Sequence, residues 1–140
     1  MQRGTAQRRA ILEALEKAPG PLTAQELHDR AREAVEGLGL ATVYRNLNEL
    51  ERSGQVVSVH LPRDATRYEP SGRGHHHHFR CVRCDTVFEL DVGCPLALLE
   101  DVTLPGGLRV TGHELVLFGV CQDCANEPAG RSAQAAAELA

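Results

Sequence analysis

Ten residues near the middle of the chain concentrate metal-ligand chemistry. They read His-His-His-His-Phe-Arg-Cys-Val-Arg-Cys, with four histidines at 75–78 followed by a C-x-x-C pair, Cys81 and Cys84. A second C-x-x-C pair, Cys121 and Cys124, begins 37 residues after Cys84. Imidazole nitrogens and thiolates are the ligands that zinc prefers. This part of the chain therefore predicts metal binding.

The two C-x-x-C pairs predict a structural zinc site. Four thiolates complete a tetrahedral shell around Zn²⁺, and such a site contributes directly to folding. A redox dithiol is the alternative, but it expects one C-x-x-C pair in a thioredoxin-like unit. Residues 85–90 instead alternate like a strand. We therefore expect one zinc site from these four cysteines: Cys81, Cys84, Cys121 and Cys124.

The histidine run can supply two different sites, because successive side chains of a strand face opposite sides. His76 and His78 then share one face. If the C-x-x-C knuckle turns the strand back as a hairpin, Glu89 of the return strand lies opposite His78. This face predicts one metal site, and His75 and His77 on the other face predict a second.

The hairpin register assumed here pairs residue 81 with residue 86. It also places Phe79 opposite Phe88, a plausible packing pair across the two strands. The alternative interpretation of the histidines is a solvated polar run, or weak chelation like that of an expression tag. The internal position of the run argues against a tag.

The first seventy residues predict three short helices, of which the first two are marked by capping residues. Thr5 can cap a helix that runs to about Lys17. Thr23 and Glu26 form a capping box at the start of a second helix, which we expect to continue to about Gly37.

The third helix lies in LATVYRNLNELERSG, residues 40–54. Val43, Leu47 and Leu50 recur at helical spacing and predict the buried stripe. Another arc of this helix carries hydrogen-bond donors that suit phosphates and base edges, namely Tyr44, Arg45, Asn48 and Arg52. A polar helix face alone is often only solvated.

A hairpin is predicted after the third helix, from valines at 56–59, a turn at 61–64 and residues 66–69. Three helices followed by a hairpin predict a winged helix-turn-helix that binds DNA.

Charge and hydropathy limit the classes of protein to which the chain can belong. Residues 1–70 hold 10 basic and 10 acidic residues, and residues 71–140 hold 5 and 9, so a nucleic-acid partner depends on arginine placement rather than bulk charge. No apolar run approaches the ~20 residues that span a bilayer. The first residues lack the apolar core of a signal peptide. We therefore expect a cytoplasmic protein with reduced thiols.

Composition and motifs together divide the chain. We expect a winged-helix DNA-binding domain over 1–70, a hinge over 71–74, a dimerisation and metal-binding domain over 75–125 and a flexible tail over 126–140. Within the third segment, residues 96 to about 102 predict a short helix, and residues 108–118 predict a second strand region. Cys94 has no C-x-x-C partner and is expected to be a buried thiol, a spare ligand or an oxidisable site.

Four motifs carry a resemblance to a known family. They are TAQRRAIL, ATVYRNLNELERSG, the histidine run before CVRC, and HELVLFGVCQDC. Over residues 3–124 the chain resembles the ferric uptake regulator (Fur) family of bacterial metal-responsive repressors, most closely its zinc uptake regulator branch. The resemblance implies an α+β fold, with an N-terminal winged helix-turn-helix and a C-terminal α/β dimerisation domain that holds structural zinc. It also implies a homodimer that, when loaded with metal, binds palindromic operators and represses metal-uptake genes.

The resemblance also implies roles for individual residues. The sensor site corresponds to His76, His78 and Glu89, with Glu69 as the ligand before the hinge or, in one zinc-type branch, His60. The second site corresponds to His75, His77 and His113, and because the family's carboxylate ligand falls at Leu96, Glu100 or Cys94 would have to replace it. The residues expected to contact DNA are Arg8, Thr42, Tyr44, Arg45 and Asn48.

A nitrogen-rich ligand set suits zinc better than iron or manganese, which favour oxygen. We therefore expect a zinc-sensing repressor that is not an enzyme. The alternatives are an iron-, manganese- or peroxide-responsive regulator of the same family, and a zinc storage or delivery protein. A zinc hydrolase would leave the first seventy residues unexplained.

Overall fold

The chain folds into two compact units that divide between Gly74 and His75. This computed structural model describes residues 3–127. Most of the expected tail, residues 128–140, lies outside that range. Among the helices of the described part, none is long and apolar enough to cross a membrane.

The first unit is a three-helix bundle with a small sheet. Its elements in chain order are α1 (Arg3–Lys17), β1 (Leu22–Thr23), α2 (Ala24–Ala31), α3 (Leu40–Arg52), β2 (Val56–Val59) and β3 (Arg67–Pro70). The strands form an antiparallel sheet in the order β1-β3-β2. Three helices followed by a β2–β3 wing are the predicted winged helix-turn-helix.

Two helix boundaries differ from the sequence prediction. Helix α1 begins at Arg3, so Thr5 lies inside the helix and does not cap it. The burial of Ile11 and Leu15 stabilises this helix more than a cap would. Helix α2 ends at Ala31 rather than near Gly37, because a series of turns brings Leu38 into the core.

Other features of the first unit agree with the prediction. The capping box at α2 is present in both directions, between Thr23 and Glu26. Val43, Leu47 and Leu50 of α3 are fully buried. Strand β1 was not predicted, since two residues carry no periodic signal.

The second unit is built on a mixed sheet. Its elements are β4 (His77–Cys81), β5 (Val87–Leu90), β6 (Thr103–Leu104), β7 (Leu108–Arg109), β8 (Val116–Gly119) and α4 (Gln122–Asn126). The central strand β4 pairs antiparallel with β5 and parallel with β8, while β6 and β7 form a separate two-stranded ribbon. The predicted register is confirmed: His78 lies opposite Glu89 and Phe79 opposite Phe88.

The segment between β5 and β8 has less regular structure than predicted. The expected helix over residues 96–102 is a single 3₁₀ turn, Ala97–Leu99. Leu98 in this turn is 90% exposed, so its side chain provides no packing that would stabilise a longer helix. The strand region predicted over 108–118 divides into β7 and β8 with irregular chain between them.

The two units differ in their apolar cores. A contiguous cluster of buried side chains, from Ala10 to Tyr68, fills the first unit. Among the described residues of the second unit, the buried hydrophobic side chains are Cys81, Val87 and Cys124. The second unit therefore needs stabilisation beyond its apolar core.

Candidate metal centres and nucleic-acid interface

Three elements of the second unit bring four cysteines together. Cys81 is the last residue of β4, and Cys84 lies in the turn that leads to β5. Cys121 is the N-cap of α4 and Cys124 lies within that helix. Their Sγ atoms all lie within 4.8 Å of one another, which is the convergence predicted from the two C-x-x-C pairs.

The four thiols fit a tetrahedral zinc ion. With Zn–S bonds of ~2.3 Å, neighbouring sulfurs of a tetrahedron lie about 3.8 Å apart. The Sγ atoms of Cys84 and Cys121 are 3.8 Å apart. The backbone N–H of Cys121 donates to Cys81 Sγ at 3.3 Å, as expected for a thiolate acceptor.

The four thiols differ in how readily they ionise. Burial raises the pKa of the Cys81 thiol, but the backbone N–H groups of Cys121, Cys84 and Arg83 outweigh that effect and lower it to about 6. Burial raises the pKa of Cys124, and the neighbouring cysteine thiols raise it further. The protein alone thus stabilises part of the negative charge, and a bound divalent cation would stabilise the rest.

A second cluster lies on one face of β4. His77 is 3% exposed, and its Nε2 lies 3.3 Å from Cys94 Sγ and 3.4 Å from His113 Nε2. Cys94 Sγ lies 3.1 Å from His113 Nε2. His75 completes the group, with its ring centroid 4.6 Å from that of His77. One ligand atom from each of the four residues lies within 4.8 Å of the others.

The electrostatics of this cluster favour neutral imidazoles. Burial lowers the pKa of His77, and the neighbouring His75 and His113 lower it further. Neutral imidazole is the form that binds metals.

Of the two residues that could replace the carboxylate of the second site, Glu100 and Cys94, the structure brings only Cys94 close to the histidines among residues 3–127. Glu100 follows the 3₁₀ turn in extended conformation and is exposed. It belongs to none of the clusters of three or more ligand atoms among residues 3–127. Cys94 joins the histidines instead, because the chain leaves β5 and passes beside His77 before the turn begins.

The other two histidines, His76 just before β4 and His78 within it, form a second pair. The rings of His76 and His78 lie 4.8 Å apart between centroids. Glu89 of β5 is paired with His78 and is half-buried. Neither Glu89 nor His60 belongs to a cluster of three or more ligand atoms within residues 3–127.

The remaining two predicted sensor residues belong to the first unit. Glu69 lies on β3 and is buried. His60 follows β2 and is exposed, with Nδ1 3.5 Å from the Thr66 hydroxyl.

Helix α3 presents a polar face to solvent. Tyr44, Arg45 and Asn48 are exposed on it. Thr42 lies one turn before Asn46 and accepts a long hydrogen bond from Arg45 Nη2 at 3.5 Å. The buried stripe fixes the opposite side of the helix to the core, so these side chains lie on its solvent-facing side. Their contact with phosphates and base edges stays a prediction.

A cleft between α1 and α3 adjoins this face. Its lining includes Gly4, Gln7, Arg8, Thr42, Arg45 and Glu49. Arg8 Nη2 donates to Glu49 Oε2 at 2.6 Å, and both side chains are about half exposed. The sequence prediction missed Glu49, because an acidic residue on a polar helix face looks like ordinary solvated surface.

A family model described as the ferric uptake regulator family matches residues 2–118. Among curated proteins, the ferric uptake regulation protein of Campylobacter jejuni is 32% identical over 127 residues, which cover 89% of this chain and 81% of that protein. The zinc uptake regulation protein of Mycobacterium tuberculosis is 36% identical over 122 residues, which cover 87% of this chain and 94% of that protein.

A solved structure shows the same fold. A zinc-bound manganese uptake regulator aligns with a TM-score of 0.71 and 30% identity. The alignment covers 82% of this chain and 87% of that one.

Proposed function

The chain belongs to the ferric uptake regulator family, and we propose that it is a zinc-responsive transcriptional repressor that binds palindromic operator DNA as a homodimer. Members of this family are transcription regulators rather than enzymes. A repressor of this kind acts on cytoplasmic DNA and controls genes for metal uptake.

The observation that carries the proposal is the combination of two units with different chemistry. The first is a winged helix whose α3 exposes Tyr44, Arg45 and Asn48. The second brings metal ligands together in clusters that an apolar core would not require. A protein that only stored or delivered zinc would need the second unit alone.

Exposed apolar side chains on the second unit support the homodimer. Leu117 and Phe118 of β8 and Leu108 of β7 are all more than a third exposed. The same unit has a thin core, and a second copy would bury these residues. Dimerisation would also present two α3 helices to the two halves of a palindrome, ideally ~34–36 Å apart.

The donor sets support zinc as the metal. Four thiolates suit structural zinc. For the regulatory ion we propose His76, His78 and Glu89 of the second unit as ligands, with Glu69 or His60 retained as the predicted ligand from the first. Imidazole-rich sites favour zinc over manganese and iron, which favour more oxygen ligands.

Metal and DNA affinities are then linked. If the metal-loaded form binds the operator more tightly, the operator must raise the affinity for metal by the same factor. A coupling of about 1–3 kcal/mol corresponds to ~5–150-fold, which is sufficient for regulation.

The test is an operator titration by fluorescence anisotropy, with DNA fragments selected from a random pool by the metal-loaded protein. We expect zinc to tighten binding ~5–150-fold at fixed ionic strength, and Fe²⁺ and Mn²⁺ to tighten it less. The double variant His76→Ala, His78→Ala should lose the response to zinc but keep the four-cysteine zinc. Arg45→Ala should lose ~1–3 kcal/mol of operator binding at unchanged zinc content.

Several outcomes would contradict the proposal. A full zinc response in the double histidine variant would exclude the regulatory ligands named here. A stronger response to iron or manganese would show that the protein is a regulator responsive to that metal. If peroxide abolishes DNA binding by the iron-loaded protein, the protein is a peroxide sensor. Failure to select any DNA would favour zinc storage.

A further inference from the structure

The resemblance to the family implies a second metal site at His75, His77 and His113, and we propose that in this chain the Cys94 thiolate is its fourth ligand and closes the site around the ion. The site would take zinc and discriminate against manganese. It is separate from the four-cysteine cluster and from the regulatory ligands, and it does not depend on DNA binding.

The interatomic distances match the edges of a tetrahedral site. With Zn–N bonds of ~2.0–2.1 Å and a Zn–S bond of ~2.3 Å, the N···N edge is about 3.3–3.4 Å and the N···S edge about 3.5–3.6 Å. The Nε2 atoms of His77 and His113 lie 3.4 Å apart. Cys94 Sγ lies 3.3 and 3.1 Å from them, so a small outward movement of the thiol would accommodate the ion.

The strand geometry separates this site from the regulatory one. His75 and His77 project from one face of the chain and His76 and His78 from the other. Residues of the two groups therefore alternate in sequence without sharing a ligand. One histidine run can bind two ions independently.

The donor set determines the choice of metal. Three imidazoles and a thiolate suit zinc, whereas manganese and magnesium require oxygen ligands. The nearby carboxylate that could have supplied oxygen, Glu100, is exposed and outside the cluster. A carboxylate in place of Cys94 would weaken this discrimination.

Two of the ligands lie at the two ends of an exposed segment. Cys94 and His113 flank residues 95–112, and none of those residues is buried. The segment therefore contributes no buried side chain that would hold it in place. A metal ion shared with His75 and His77 would fix both ends of the segment to β4.

The first experiment uses the full-length protein with zinc retained in the four-cysteine cluster, as verified by elemental analysis. After labile metal is removed with a mild chelator, Co²⁺ is titrated in under reducing conditions. We expect absorption bands of tetrahedral Co²⁺ together with a sulfur-to-cobalt charge-transfer band. That band reports Cys94 specifically, since the His76–His78 face offers no sulfur. Absence of the band while Co²⁺ binds would overturn the proposal.

The second experiment compares matched variants. Cys94→Ser should abolish the charge-transfer band and weaken zinc binding at this site by more than ~100-fold, since even outer-shell changes cost 10–100-fold. Glu100→Gln is the control and should change neither. Cys94→Asp keeps a charged ligand but supplies oxygen, so it should bind zinc while improving relative affinity for Mn²⁺. If Glu100→Gln weakens the site and Cys94→Ser does not, the carboxylate is the ligand and the proposal is wrong.

The third readout is amide hydrogen exchange. Zinc at this site should slow exchange in residues 95–112 in the wild-type protein and have much less effect in Cys94→Ser. Exchange in the four-cysteine region, around Cys81 and Cys124, should be the same in both proteins, which would show that the variant is folded. Equal zinc protection of 95–112 in both proteins would contradict the role of Cys94.

Discussion

At the scale of single residues, the most informative side chain on the proposed DNA face is an acidic one. Glu49 lies on α3 and binds Arg8 of α1 at 2.6 Å. Both side chains are about half exposed, so the pair contributes little to stability, typically 0–1 kcal/mol. Its consequence is electrostatic: Glu49 neutralises an arginine that could otherwise contact a phosphate.

Glu49→Gln should therefore strengthen DNA binding. The substitution frees Arg8 and removes a negative charge beside the phosphates, so we expect several-fold tighter binding to operator and non-specific DNA. The slope of log K against log salt should steepen by about 0.9, the value for one further phosphate contact. Binding is measured by anisotropy over a salt series.

Arg8→Ala provides the matched control for this prediction. Combined with Glu49→Gln, it should remove the gain in affinity. If Glu49→Gln instead relaxes sequence preference and weakens operator binding, Glu49 contacts a base, as a carboxylate can contact cytosine N4.

At the scale of elements, a buried arginine connects the wing to α2. Arg67 of β3 has a side chain only 2% exposed, and it binds the Asp64 carboxylate in the wing. Arg67 Nη1 also donates to Glu26 Oε2 at 2.9 Å and to the Pro21 carbonyl at 3.2 Å. Glu26 Oε2 accepts as well from the backbone N–H of Thr23 at 2.9 Å. The same carboxylate thus caps α2 and neutralises the wing arginine.

Arg67→Met should destabilise the protein strongly. It removes the cation that pairs with the Asp64 carboxylate, whose side chain is 8% exposed, and with the partly exposed Glu26 carboxylate. Breaking a buried ion pair by removing one member typically costs about 3–5 kcal/mol. Urea unfolding of the zinc-loaded protein, followed by far-ultraviolet circular dichroism, measures the loss.

The control substitution is Arg52→Met, at the exposed end of α3, which should change stability by no more than ~0.5 kcal/mol. Equal effects of the two substitutions would show that the buried network does not hold the wing.

At the scale of the whole molecule, the two units have different sources of stability. The first has a contiguous apolar core that includes Ile11, Leu27 and Leu47. In the described part of the second, two of the three buried hydrophobic side chains, Cys81 and Cys124, are also metal ligands of the four-cysteine cluster. Zinc and a partner subunit would supply the stability that this small core lacks.

Complete removal of zinc should therefore unfold the second unit selectively. With a strong chelator under reducing conditions, we expect amide protection to disappear across residues 77–126 and to persist in α1, α2 and α3. Sedimentation should show loss of the dimer. Hydrogen exchange with mass spectrometry checks both units in one experiment.

Removal of only the labile metal is the control and should leave the dimer intact. Persistent protection of β4 and β8 in fully metal-free protein would show that apolar packing alone suffices for the second unit.

Several features of the structure could be predicted from patterns within short stretches of sequence. The capping box of Thr23 and Glu26, the buried stripe of α3 and the hairpin register that pairs His78 with Glu89 all follow from spacing within a helix or across one turn. The exposed residues of α3 follow from the same periodicity. The two C-x-x-C pairs are far apart in the sequence, yet their contact could also be predicted, because one zinc ion binds four thiolates.

Contacts between distant residues could not be predicted in this way, because they leave no periodic signal in the sequence. Cys94 reaches His77 and His113 through irregular chain, so spacing did not distinguish it from Glu100 as the fourth member of that cluster. The parallel pairing of β4 with β8 and the burial of Arg67 depend on how separate elements pack. Local sequence propensities do not predict such packing, because the free energy that stabilises it comes from contacts that exist only once the chain has folded.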